Sequence, residues 1–256
     1  MFNLKTIALK IRKNILKESY KANACHISSA LSAVEILVYL YYKLLKKEDI
    51  FIFSKASGAA TLYCVLAEKG IIPRSKVAFY LKNYPLVSNE VPSIIWSGGS
   101  LGHGLPVAVG LALAKRDRKV YCLMSDAEMQ EGTTWETALF ARQHKLDNLF
   151  VFVDYNHLQA CGALKEILDI ERLKDKFESF GWEALFTNGH SFEAFNTIFA
   201  KEDNSNKDWW QFGKEIPKVI ICDTIKGKGV DFMENHFEWH YKNLDKDLLK
   251  KALCRI

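Results

Sequence analysis

"VYCLMSDAEMQEGTTWETALFARQHKLDNLFVFVDYN" (residues 120–156) carries two unbroken apolar runs, 120–124 and 149–153, on either side of a segment of helical composition. Five apolar residues without alternation read as a strand buried on both faces, which is how parallel strands are built. Residues 131–144 between them are long enough to cross over as a helix, so the stretch reads as one βαβ unit. Working outward, "KVIIC" (218–222) supplies another buried strand and "IFIF" (50–53) a shorter one. Strands alternating with helices define the fold class as α/β, a doubly wound, mostly parallel sheet flanked by helices.

Towards the N-terminus, Leu4, Ile7, Ile11 and Ile15 recur at helical spacing, and residues 31–45 read as a second, strongly apolar helix. "SKASGAA" (54–60) opens a helix expected to run to Glu68. Residues 82–95 contain Pro85, Asn89 and Pro92 and read as a loop. The loop leads into "WSGGSLGHGLPVAVGLALAKR" (96–116), a Gly-rich turn opening a small-residue helix. "KEDNSNKDWW" (201–210) reads as an exposed, variable connection.

With 256 residues, 49% hydrophobic and 25% charged, the composition is that of an ordinary globular chain, expected to form a single domain over 1–256. The net charge of +5 is small, and the lysines are spread without a basic block, which argues against a nucleic-acid partner. Six cysteines (25, 64, 122, 161, 222 and 254) lack CxxC or Cys/His ligand spacing, so reduced thiols and no zinc site are expected. Basic residues interrupt the apolar ones of the first twenty positions, unlike a signal peptide. No stretch approaches the roughly 18 apolar residues of a membrane span. The expected compartment is the cytoplasm, with no membrane partner.

Open parallel sheets bind ligands at the carboxyl ends of their strands. Asp126 follows the first strand of the βαβ unit and Asn156 follows the second. A carboxylate buried there is costly to desolvate without a cation. Asp126, the Asn156 amide and a nearby carbonyl such as that of Leu158 form an all-oxygen set. That set suits magnesium, which would complete its octahedron with water and phosphate oxygens. Taken singly, Asp126 also reads as a helix N-cap and Asn156 as a turn residue.

"SDAEMQEG" (125–132) followed by "VDYNHLQACG" (153–162) resembles the thiamine-diphosphate motif, and the wider pattern resembles the N-terminal half of transketolase. "CHISSALSAVEIL" (25–37) is similar to that family's first His-containing segment and "FSKASGAATLYCVLAEKG" (53–70) to its Ser-Lys-Gly-His segment. "GGSLGHGLPVAVGLALA" (98–114) is similar to its Gly-rich loop, and "DTIKGKGVDFMENHFEWH" (223–240) to the closing segment of split transketolases.

The resemblance implies that Asp126, Asn156 and the Leu158 carbonyl hold the metal (magnesium, or calcium or manganese) that binds the cofactor diphosphate. Ser57, Gly99, Ser100, Leu101, Gly102, Ser125, Ala127, Ile225 and His240 would contact the cofactor, with Leu101 near the thiazolium. Glu131 would join a carboxylate network at a contact between chains. His26 and His240 would act catalytically through polar stabilisation and proton transfer. His103 has a weaker claim, and His144, His157, His190 and His236 receive no role. The sequence departs from the family at Ser125 and Ala127, which replace glycines flanking the metal aspartate, and at Ser57, which replaces a histidine. The 82–95 segment also lacks a His-Pro element.

The family's pyrimidine-binding domain, with its catalytic glutamate, has no counterpart in these 256 residues. The resemblance therefore implies a partner chain of the C-terminal transketolase type in an α2β2 assembly. The reaction implied is transfer of a two-carbon ketol unit from a ketose to an aldose or a modified, even nucleotide-linked, sugar. Two other readings are a thiamine-dependent 2-oxo-acid decarboxylase or dehydrogenase component, which shares the metal motif, and a catalytically degenerate subunit kept for assembly. Dinucleotide binding is disfavoured because "GGSLGHG" lacks GxGxxG spacing.

Overall fold

The computed structural model describes residues 3–199 and 215–256; the 201–210 connection lies outside the described residues. Among the described residues five parallel strands form one sheet: β1 (Ile50–Phe53), β2 (Val120–Ser125), β3 (Leu149–Tyr155), β4 (Glu183–Asn188) and β5 (Lys218–Asp223). Their spatial order is β1-β2-β3-β5-β4. The helices in chain order are α1 (Leu4–Ala22), α2 (Ile27–Ser32), α3 (Val34–Tyr39), α4 (Ala59–Glu68), α5 (Val77–Asn83), α6 (Gly104–Ala114), α7 (Gly132–Gln143), α8 (Leu164–Ile167), α9 (Leu173–Ser179), α10 (Phe192–Phe199) and α11 (Lys246–Arg255).

Alternation along each strand sends neighbouring side chains into different cores. Tyr121 and Leu123 of β2, with Phe150 and Phe152 of β3, pack against the layer built from α1 to α5 and α10. Cys122 and Met124, with Val151 and Val153, pack against α6, α7 and α9. Both faces of the sheet are therefore covered, as a doubly wound fold requires.

The strand register levels the carboxyl ends. Phe53 pairs with Leu123, Ser125 with Asp154 and Tyr155 with Asp223, so residues 54–55, 126, 156 and 224–226 emerge along one edge.

The expected 31–45 helix is divided at Ala33 into α2 and α3, and a wider helical turn, Leu40–Leu44, ends it. At Ala33 (φ −89°, ψ 5°) the N–H donates to the Ala30 carbonyl at 3.3 Å, a tighter turn that breaks the α-helical pattern. β4 is a strand that periodicity did not predict. It is an edge strand of mixed burial, and Glu183, Thr187 and Asn188 leave it only three consecutive apolar residues.

Candidate active site

At the end of β2, Ser125 is extended (φ −93°, ψ 160°) and caps the short helical turn Asp126–Gln130 in a reciprocal box with Glu128. The Ser125 N–H donates to Glu128 Oε2 at 2.7 Å. Ser125, and not Asp126, is thus the helix cap, and the Asp126 carboxylate is left for other partners. Its Oδ2 accepts the N–H groups of Asn156 (2.8 Å) and His157 (2.7 Å), and its Oδ1 accepts that of Ala127 (2.9 Å). Asp126 is 1% exposed and, among the described residues, has no ion-pair partner. Burial pushes its carboxyl up to about 6, against the pull of Lys55 and Lys226. Neither Ser125 nor Ala127 has a positive φ, so the chain does without the family's flanking glycines at no backbone cost.

Two lysines face this carboxylate. Lys55, just beyond β1 and 2% exposed, pairs with Asp154 Oδ2 at 2.7 Å, and the Ser32 and Thr224 hydroxyls also donate to Asp154. Lys226, after β5 and 1% exposed, donates to the carbonyls of Leu158 and Gln159 at 3.1 Å each and contacts His240 Nδ1 at 3.2 Å. Burial and the nearby Lys55 charge lower the Lys226 pKa to about 8. Among the described residues no carboxylate lies within ion-pairing distance of it.

An ammonium can only donate, so His240 Nδ1 accepts from Lys226. Burial and the Lys226 charge lower the His240 pKa to about 3, so the imidazole is neutral and carries its proton on Nε2. His26 begins α2 in the left-handed region (φ 64°). Its N–H donates to the His240 carbonyl at 2.9 Å, and the two rings meet edge to face at 4.7 Å. Burial lowers the His26 pKa as well.

These groups line a cleft of about 420 Å³. The structure brings ten of the residues expected from sequence to its wall: His26, Ser57, Gly99, Leu101, Ser125, Asp126, Ala127, Asn156, Leu158 and His240. It places Ser100, Gly102, Glu131 and Ile225 off that wall. The Gly102 N–H donates to buried Glu128 at 3.3 Å, that of Ile225 donates to His190 Nε2, and Glu131 is exposed ahead of α7.

Sequence reasoning missed Lys55, Asp154, Lys226 and Glu128. A charged residue at or just past the end of an apolar run, as at Asp154 and Lys55, is the signal that could have found two of them. Among the described residues no three His, Cys, Asp or Glu side chains cluster as a metal site. The oxygen set here is one carboxylate, one amide and a carbonyl that keeps a lone pair beside its bond from Lys226.

The sequence profile described as "Transketolase, thiamine diphosphate binding domain" matches residues 5–255. This chain belongs to the transketolase family. Among its relatives is an apulose-4-phosphate transketolase subunit of Phocaeicola vulgatus, 37% identical over 251 residues, covering 91% of this chain and 86% of that protein. Another is the 6-deoxy-6-sulfo-D-fructose transketolase subunit SqwG of Clostridium sp., 32% identical over 265 residues, covering 96% of this chain and 93% of that protein. The crystal structure of Campylobacter jejuni transketolase superposes with a TM-score of 0.84 at 27% identity, covering 97% of this chain and 42% of that one. The chain is thus a transketolase-family unit similar in length to subunits bearing the family name, and it spans less than half of that solved transketolase.

Proposed function

We propose that this chain is the diphosphate-binding subunit of a two-chain transketolase, acting as one domain over 1–256. The observation that carries the reading is the lone, buried Asp126 carboxylate beside Asn156, in a cleft that also holds two buried lysines. A carboxylate whose pKa burial has raised lacks its cation, and a cleft with an unpaired ammonium suits an anion. A divalent metal and a diphosphate together fit both deficits.

Asp126, Asn156 and the Leu158 carbonyl would hold magnesium. Lys226, supported by Lys55, would face the diphosphate. Thiamine diphosphate supplies, when bound, the carbanion chemistry that breaks and remakes the ketose carbon–carbon bond. His240 would present its Nε2–H to a substrate oxygen, and His26 would stand beside it in the same neutral state. Ser57, where the family carries histidine, narrows this polar set and favours a substrate other than the common ones. Relatives named for a sugar phosphate and for a sulfonated sugar support a ketose bearing an anionic group. The second chain would supply the pyrimidine-binding domain in a cytoplasmic α2β2 assembly.

Calorimetric titration with thiamine diphosphate and magnesium, with and without the partner chain, tests the reading. Binding is expected to require magnesium and to disappear in Asp126→Ala. Binding that survives this substitution, or that ignores magnesium, would overturn it.

A further inference from the structure

One buried cluster of titratable side chains takes no part in the cleft wall. Arg12 on α1 and Glu35 on α3 form a bidentate pair, Nη1 to Oε1 at 2.5 Å and Nη2 to Oε2 at 2.7 Å, and both residues are buried. His190, in the turn between β4 and α10, places Nδ1 2.9 Å from Glu35 Oε2 and Nε2 2.9 Å from the Ile225 nitrogen. Arg12 Nε donates to the Lys228 carbonyl at 3.1 Å.

The protonation pattern follows from the backbone. An amide N–H only donates, so His190 Nε2 offers its lone pair to Ile225, and the proton of a neutral imidazole lies on Nδ1, directed at Glu35. Burial alone would raise the Glu35 carboxyl. The hydrogen bonds from His190 and Arg12 bring it down to about 2, so it stays an acceptor for both at any working pH. A bidentate Arg–carboxylate pair adds little net stability when buried, but it fixes orientation.

Here that orientation reaches both ends of the 225–228 turn. The residue inside this span that reaches the cleft is Lys226. Further bonds tie the same turn to α2 and to the closing segment, from the Gly227 N–H to the Ser28 carbonyl at 2.9 Å and from the Asn235 N–H to the Lys226 carbonyl at 3.0 Å. Gly227 takes φ 82°, and a Cβ there would collide with the Met233 backbone, so the turn packs this closely only with glycine at 227. A lysine stem is long and rotamer-rich, and its ammonium is placed only as well as its backbone is.

We propose that Arg12, Glu35 and His190 are positioning residues that act through the 225–228 backbone to hold the Lys226 ammonium in the cleft. The inference rests on the cofactor reading above for what Lys226 meets, and on geometry alone for how it is held.

The test uses the full chain together with its partner chain, and the variants His190→Leu, which keeps bulk but removes both hydrogen-bonding functions, Lys226→Ala, and the two combined. Calorimetry with thiamine diphosphate and magnesium is expected to show about tenfold or greater weakening in each single variant, the scale for losing a supporting shell. The double variant is expected to bind no more weakly than Lys226→Ala alone, because both changes remove the same contact. Losses that multiply in full, or a His190→Leu chain that binds like wild type, overturn the proposal.

Amide hydrogen exchange over 224–230 gives a readout free of cofactor. It is expected to be faster in His190→Leu and not in Lys226→Ala; unchanged exchange in His190→Leu also overturns the proposal. Should the leucine variant fail to fold, His190→Gln, which keeps a donor and an acceptor, is compared with His190→Met. Glutamine is expected to retain binding and slow exchange, and equal loss in both variants counts against positioning. A wild-type chain that binds no thiamine diphosphate even with the partner chain present overturns the cofactor reading, and the exchange measurement then decides the positioning claim by itself.

Discussion

On the proposed reading, Asp126 and Lys226 set opposite edges to the pH range in which the cleft would take a metal and an anion. The Asp126 carboxyl, raised to about 6, must lose its proton before a cation can bind, so affinity falls as pH drops below 6. The Lys226 ammonium, lowered to about 8, must keep its proton to attract a diphosphate, so affinity falls as pH rises above 8. Thiamine diphosphate with magnesium is therefore expected to bind most tightly between these values. Each limb is expected to approach about tenfold per pH unit, the slope for one proton, and Lys226→Arg is expected to flatten the alkaline limb. Calorimetry from pH 5 to pH 9 checks this, and a flat profile would remove both residues from the site. Asp126 and Asn156 were legible in the sequence because each follows an apolar strand directly. Lys226 was not, since a lysine in "TIKGKG" (224–229) looks like a solvated turn until the fold buries it.

Between residue and fold lies the turn after β2, where Glu128 ties three segments together. It accepts from the Ser54 hydroxyl beyond β1, from the Ser125 N–H and hydroxyl at the end of β2, and from the Gly102 N–H in the Gly-rich loop. It is wholly buried, and no lysine or arginine among the described residues pairs with it. Glu128→Ala would leave those donors orphaned in the interior and is expected to cost about 2–4 kcal/mol, as for a buried charged acceptor with several partners. Urea unfolding with an unchanged slope measures the loss. A cost near zero would mean that water replaces the carboxylate. α1 was legible from its helical spacing, and β2, α7 and β3 from two unbroken apolar runs with a segment of helical composition between them. The Ser125 part of the Glu128 tie follows the S-x-x-E capping signature, but its bonds from Ser54 and Gly102 were not legible, because those partners come from distant parts of the chain. Sequence favoured Glu131; burial singles out Glu128.

For the whole molecule, the proposed division of labour predicts complementation. The purified chain is expected to show no ketol transfer by itself, and activity is expected only when a chain carrying the pyrimidine-binding domain is added. Light scattering of the mixture is expected to give two copies of each. Turnover by the single chain would refute the two-chain reading. The α/β class and the mostly parallel sheet were legible because apolar runs report burial on both faces. The place of β4 at the sheet edge was not, since its partner strand β5 comes later in the chain and its own pattern is diluted by polar residues.

The cleft wall gathers residues from 26 to 241, so nearly the entire chain must be threaded and seated before the pocket exists. A ligand captured there acts as an inspector of finished molecules, since a nascent chain lacking β5 or its closing segment would offer no Lys226 or His240 to grip it. By mass action, free cofactor at a hundred times its dissociation constant would deepen the native well by about 2.7 kcal/mol. Vitamin supply would then influence how long each copy survives as well as how fast it works.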